Sequence, residues 1–267
     1  MRAPVEWTRR DTAAMITTPT ASDDKYTRGV LGIATGSDTY PGAAVLGVDA
    51  ALATGVGMVR YLGPERPTAL VLQACPEVVT QPGRVQAWLA GSGAGEDRSS
   101  HWDDVVTDAV PAVLDAGALS LVHEVAGPAV LTPHHRELAR LMDVDTEWVA
   151  EHPARAASEA AASLGSVVLL KGNSTLVATP GGELIACPPA SPWLATAGTG
   201  DVLAGILGAL VATHASELSD DDRMLARLAA SASVIHAEAA SRASAGGPFT
   251  VRALIAAIPA AVAGLLA

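Results

Sequence analysis

The chain has 267 residues, of which 49% are apolar, 17% charged and 3% aromatic. That is enough apolar chain for a large core, and it excludes a disordered tail. A net charge of −11 excludes a basic face for nucleic acid or an anionic membrane, and a single Phe leaves no stacking platform for single strands.

A basic pocket for a small anion stays open, because one lysine and a few backbone amides suffice to make it. The two cysteines, Cys75 and Cys187, form no CxxC pair, so neither a zinc site nor a disulfide framework is expected. The first residues lack the apolar stretch of a signal peptide, and the longest apolar runs fall short of a membrane span. A soluble, cytoplasmic protein is the expectation.

Residues 1–27 are polar and without period, and read as an N-terminal arm with room for one short helix. Residues 29–34 read as a buried strand, 43–54 as a helix capped by Gly55, and 58–62 as a second strand. Strand, helix and strand in about thirty residues is a βαβ unit, which implies a parallel sheet. The alternation continues with strands at 86–90, 112–115, 129–132 and 167–171. Helices are expected at 97–109, 135–142 and 153–163. Segments 175–178 and 183–186 flank Pro180-Gly181-Gly182, a hairpin signal. The remainder reads as helix at 200–212, 220–243 and 250–264, with Ser219 and the following aspartates capping the second of these. No repeat or linker divides residues 28–267, which predicts one domain.

The strongest local signal is Ala195-Thr196-Ala197-Gly198-Thr199-Gly200-Asp201-Val202-Leu203. Its glycines allow a tight turn, and the following helix offers free N–H groups and a positive dipole end. Asp201 is then either a favourable helix-end charge or a base beside a phosphate site. The helix end is expected to keep Asp201 ionised at neutral pH. Lys171-Gly172-Asn173-Ser174-Thr175 ends the most strand-like segment, at the usual ligand crevice of an α/β sheet. Lys171 is either a solvated strand-end residue or a phosphate ligand; as an exposed lysine its removal is expected to spare the fold. The Gly91-Ser92-Gly93-Ala94-Gly95 loop does not fit the dinucleotide fingerprint, and no P-loop is present. His134, His135 and Glu137 make a weak metal signal, and Asp115 is readable as a turn residue. The other histidines, among them His236, stand alone and carry no assigned role.

In order and spacing, these segments resemble the ADP/ATP-dependent NAD(P)H-hydrate dehydratases of the ribokinase-like superfamily. The resemblance rests on Gly36-Ser37-x-x-Tyr40-x-Gly42-Ala43-Ala44 with Gly55-x-Gly57-Met58-Val59, and on Leu131-Thr132-Pro133-His134-x-x-Glu137. It rests further on Leu170-Lys171-Gly172-x-x-Thr175 and on residues 194–205, and it runs from about residue 25 to the C-terminus. It implies a three-layer α/β sandwich with a mainly parallel central sheet and helices on both faces. It also implies a reaction: phosphorylation of the hydroxyl of hydrated NADH or NADPH by ADP or ATP, with Mg2+, then loss of phosphate to restore the reduced cofactor. By the same resemblance, Ala43, Gly93 and His134 contact the hydrated cofactor. Lys171, Gly172, Asn173, Ser174, Thr175, Gly198, Thr199 and Gly200 hold the nucleotide, and Asp201 is the base facing the hydroxyl. Ligands for the metal are not assigned, Glu137 being a weak candidate. Departures from the family's usual pattern fall at Ser92 and Ala94, Gly117, His135-Arg136 and Trp193, mostly on the side of the hydrated cofactor. The family often forms homo-oligomers. Residues 1–27 are too few for an epimerase domain, so a separate epimerase protein is expected. The alternatives are a kinase of the same fold acting on a small alcohol, which would leave its phosphate on the product, and a non-catalytic nucleotide-binding relative.

Overall fold

Short apolar runs bounded by turn residues form a nine-stranded sheet. The structure, a computed structural model, describes residues 3–94, 100–218 and 222–267. The strands are β1 (Val5–Glu6), β2 (Val30–Ala34), β3 (Met58–Tyr61), β4 (Ala87–Ala90), β5 (Ala112–Leu114), β6 (Ala129–Leu131), β7 (Val167–Leu170), β8 (Leu176–Ala178) and β9 (Leu184–Ala186). Their order across the sheet is β1-β9-β8-β7-β6-β5-β4-β2-β3. The six strands expected to be parallel are parallel throughout, each a residue or two shorter than its apolar run. The hairpin at Pro180-Gly181-Gly182 supplies the two antiparallel pairings, β7 with β8 and β8 with β9.

Alternate residues of the strands face two helix layers. On one side Leu31, Leu89, Val113, Val167 and Leu169 pack with α2 (Pro41–Thr54), α8 (Thr199–Thr213), α9 (Asp222–Ser244) and α10 (Val251–Leu266). On the other side Val168 and Leu170 pack with α5 (His135–Met142) and α7 (Pro153–Leu164), while Trp88 and Leu114 pack with Trp102 and Leu121. The result is a three-layer α/β sandwich with helices on both faces of the sheet. Glycines bring α2 and α8 close together. A Cβ at Gly205 would run into the Gly47 carbonyl, and one at Gly208 would press on Leu31.

Several elements differ from expectation. Within 3–27 the short helix allowed for is α1 (Arg9–Ala13), and the chain adds the unexpected edge strand β1, parallel to β9. Trp7 is buried between them, its indole N–H donating to Ser231 Oγ on α9 at 3.1 Å. Of the helix expected at 97–109, a 3₁₀ turn at Ser100–Trp102 and α4 (Asp103–Thr107) are seen, ending two residues early at Thr107. Residues 97–99, Gly95 and the cap at 219–221 lie outside the described residues. Two further helices, α3 (Glu65–Ala74) and α6 (Thr146–Glu151), and a 3₁₀ stretch at Ala116–His123 occupy segments given no element from sequence. Prolines at 64 and 67 flank and enter the first turn of α3, where they read equally well as loop. Among the described residues no helix is long and apolar enough to cross a membrane.

Candidate active site

The C-terminal ends of β4, β5, β6 and β7 and the start of α8 meet over one crevice. The chain reverses its winding between β2 and β4, and such switch points are where α/β sheets bind ligands. At β7, Lys171 follows the last strand residue, and its backbone N–H donates to Pro133 O at 2.9 Å. That bond ties the β7 end to His134 at the end of β6. The Lys171 ammonium donates to Asp115 Oδ1 at 2.8 Å and lies 3.7 Å from Glu137 Oε2. Asp115 is buried and also accepts from Thr132 Oγ1 at 2.7 Å and Ser92 Oγ at 2.8 Å. Burial alone would raise the Asp115 pKa, but Lys171 and these hydroxyls outweigh it and hold the carboxyl below its ordinary value. Burial would likewise lower Lys171, and Asp115, then Glu137 and Asp201, raise it overall.

One expectation is extended here and one corrected. Asp115 does begin a turn, capping the 3₁₀ stretch at Ala116–His123, but it is also the buried anchor of the site. Lys171 is not exposed: its side chain is 20% accessible and ion-paired to a carboxylate that is 5% accessible. Removing it would strand a buried charge, so the fold would not be spared.

Gly198, with φ of +93° and Leu46 packed against it, turns the chain into α8. Thr199 caps backward, its hydroxyl donating to the Leu194 and Thr196 carbonyls. Asp201 thus sits in the first turn of α8, and Gly200 lies against Lys171 Nζ. The ionised state expected of Asp201 at neutral pH holds with less margin than a helix end alone would give: burial and then the nearby Asp115 raise its pKa to about 6, against the pull of Lys171 and Ser92. The carboxylate is still mostly ionised at neutral pH, and its pKa lies close to that pH, which suits a general base.

Beside this cluster is a cavity of about 440 Å³. Lys171, Gly172, Asn173, Thr175, Thr199 and Gly200 line one side of it, and Pro192, Leu194 and Leu203 give it an apolar wall. Ser174 is exposed on the loop, and Gly198 shapes the turn. Ser233 and His236 of α9 complete the lining. His236, given no role from sequence, is buried with its Nε2 unpartnered; burial pushes its pKa down to about 4, so it is neutral. The residues expected on the other side of Asp201 come together in two groups. Gly93 packs on Ala43, and Ser37 Oγ donates to the Gly93 carbonyl at 2.7 Å. His134 is the N-cap of α5, its ring accepting from the Glu137 N–H at 3.1 Å while Glu137 accepts from the His134 N–H at 2.7 Å. Glu137 is therefore committed to the cap and to Lys171. Among the described residues no three metal-ligating side chains come together.

A buried lysine–carboxylate pair, a carboxylate in a helix's first turn and a cavity beyond the end of β7 are together able to hold a phosphate and take up a proton. The NAD(P)H-hydrate dehydratase family pattern matches residues 31–258, and the chain belongs to that family. The bifunctional NAD(P)H-hydrate repair enzyme Nnr of Mycobacterium tuberculosis is 45% identical over 218 residues, covering 76% of this chain and 45% of the relative. This chain therefore spans about half the length of that relative. The ADP-dependent (S)-NAD(P)H-hydrate dehydratase of Bacillus subtilis is 31% identical over 78% of this chain and 81% of its own length. A crystal structure of the ADP/ATP-dependent NAD(P)H-hydrate dehydratase from Bacillus subtilis, co-crystallized with ATP/Mg2+, superposes with a TM-score of 0.87. It is 28% identical and covers 99% of both chains.

Proposed function

We propose that this chain repairs hydrated NADH or NADPH, using ADP or ATP as phosphoryl donor. The observation that carries the reading is the Asp201 carboxylate, held in the first turn of α8 beside Lys171 at the edge of the cavity. Family membership and the relatives' names support it. In this reading Lys171, Gly172, Asn173, Ser174 and Thr175, with Gly198, Thr199 and Gly200, take the nucleotide. The apolar wall suits a purine, and the α8 N–H groups suit its phosphates. Ala43, Gly93, His134 and Asp201 face the hydrated cofactor. Mg2+ fits as a companion of the phosphates, since it usually keeps several waters and needs few protein carboxylates. When bound, it would neutralise phosphate charge.

Asp201 takes the proton of the ring hydroxyl as that oxygen bonds to the terminal phosphorus. The bond from phosphorus to the bridging oxygen breaks, and the nucleotide leaves one phosphate shorter. Lys171 and the α8 N–H groups hold the charge that develops on the transferring group. The ring C–O bond to phosphate then breaks with loss of a neighbouring ring proton, which restores the double bond. The designation (S) in the Bacillus subtilis relative's name supports dehydration of one epimer.

The test is incubation with hydrated NADH, ADP and Mg2+, following recovery of dihydronicotinamide absorbance and release of inorganic phosphate. Recovery supports the reading. A stable phosphorylated product would favour the kinase of the same fold, and nucleotide binding without turnover the non-catalytic relative.

A further inference from the structure

We propose that His236 reads the base of the bound nucleotide, its imidazole accepting a hydrogen bond at Nε2 from the exocyclic amine of adenine. The inference deepens the reading of this cavity as the nucleotide's place and rests on it.

Three buried polar side-chain atoms lack a partner among the described residues: Thr35 Oγ1, Arg60 Nε and His236 Nε2. Of these three residues only His236 borders the cavity. A buried nitrogen without a partner is costly, and protein interiors rarely leave one so. His236 is 7% exposed and stands on α9 three residues after Ser233, which puts both on one face of the helix, and both line the cavity. The orphaned nitrogen thus belongs to a side chain in the cavity wall, where an occupant can supply what the protein does not. The terminal torsion of a histidine is soft, so a small turn of the ring brings Nε2 onto that occupant.

The lining divides by chemistry. Lys171 and Gly200, with the N–H groups that open α8, offer positive charge and donors to phosphate. Pro192, Leu194 and Leu203 offer an apolar wall to a flat ring. A neutral imidazole keeps one nitrogen as donor and one as acceptor. An acceptor has no use against ionised phosphate oxygens, which only accept, but it matches the amine that adenine carries in its ring plane. The apolar wall cannot tell one purine from another, and an acceptor in the same cavity can.

The experiment is calorimetry of ADP and of the diphosphate of purine riboside, which lacks adenine's amino group. It is run at about pH 8, above the ordinary titration of histidine. The proteins are the whole chain and its His236→Phe and His236→Gln variants. Phenylalanine keeps a ring without nitrogen, and glutamine returns an amide oxygen at about the reach of Nε2. The wild type should bind the analogue about tenfold more weakly than ADP. His236→Phe should lose about tenfold for ADP and bind the two ligands within about twofold of each other, and His236→Gln should recover most of the preference. In turnover, KM for ADP should rise while kcat holds. Equal loss for both ligands, as a packing defect or a contact to the ribose would give, overturns the proposal, and so does unchanged ADP affinity. Should His236→Phe not fold, isotope-labelled histidine in the wild type gives a second readout. One Nε2 resonance, missing from His236→Gln, should shift with ADP and not with the analogue; no such shift overturns the proposal. If the preference follows His236 and no hydrate is turned over, the dehydratase reading falls and the base contact stands. If hydrate is turned over and the preference ignores His236, the base contact falls and the dehydratase reading stands.

Discussion

Asp201 is held in a place that suits reaction better than stability. Its pKa is 3.8 in the unfolded chain and about 6 in the fold, so folding favours the protonated form. Stability from this group is therefore fully present below pH 4, is lost as pH rises through 6, and stays lost above. Asp201→Asn removes the charge that burial opposes. It should raise the free energy of unfolding at pH 7–8 by on the order of 2 kcal/mol, and the gain should vanish as pH falls toward 4. The same variant should lower turnover by roughly 10²–10⁴-fold, since the amide cannot take the proton. Calorimetry should find nucleotide affinity nearly unchanged. Lys171→Ala should behave oppositely. It strands Asp115 in the interior, and a loss of about 3–5 kcal/mol in denaturant unfolding is expected. Adding Asp115→Asn should return part of that loss, because no buried charge is then left unpaired. These partners were the least legible part of the site. Lys171, Gly200 and Asp201 announce themselves in local motifs. Asp115 lies 56 residues before Lys171 and Ser92 another 23 before that, so only the strand order brings the three together.

At the scale of the element, the site depends on how closely α8 lies on α2. Gly205 meets the Gly47 carbonyl face to face, which a methyl group would prevent. Gly205→Ala should cost roughly 1–3 kcal/mol by overpacking and should tilt the start of α8 away from Lys171. Turnover should fall by more than the folded fraction does, measured at a temperature where circular dichroism shows the variant folded. The long apolar elements were readable from their apolar runs and end residues, with Gly55 after α2 and Pro153 opening α7: α2, α7, α8 and α10 begin and end within two residues of expectation. The parallel strands were readable because burial on both faces leaves unbroken apolar runs. α3 and α6 were not. The first is interrupted by proline and the second is 6 residues long, too short to show a period.

Across the whole molecule, the first residues reach the α9 segment that lines the cavity. Trp7 sits on Ser231, two residues before Ser233 and five before His236, which line that cavity. Trp7→Ala should destabilise by about 3–5 kcal/mol and weaken nucleotide binding by calorimetry, whereas Trp7→Phe, losing mainly a hydrogen bond, should cost about 1 kcal/mol. No local pattern announces that pairing, since β1 and β9 are joined only by the finished sheet. The same sheet has two ends. β1 offers a ladder of 2 residues. At the other end Val79 lies beside β3, accepting from the Tyr61 N–H and donating to the Val59 carbonyl. A sheet finished with a stub on one side and a backbone patch on the other presents little template for a foreign strand. The nine-strand ladder is in this sense closed to growth: when such molecules crowd together, fibrillar strand-on-strand addition is discouraged, and helical faces are left as the surfaces on which they can meet.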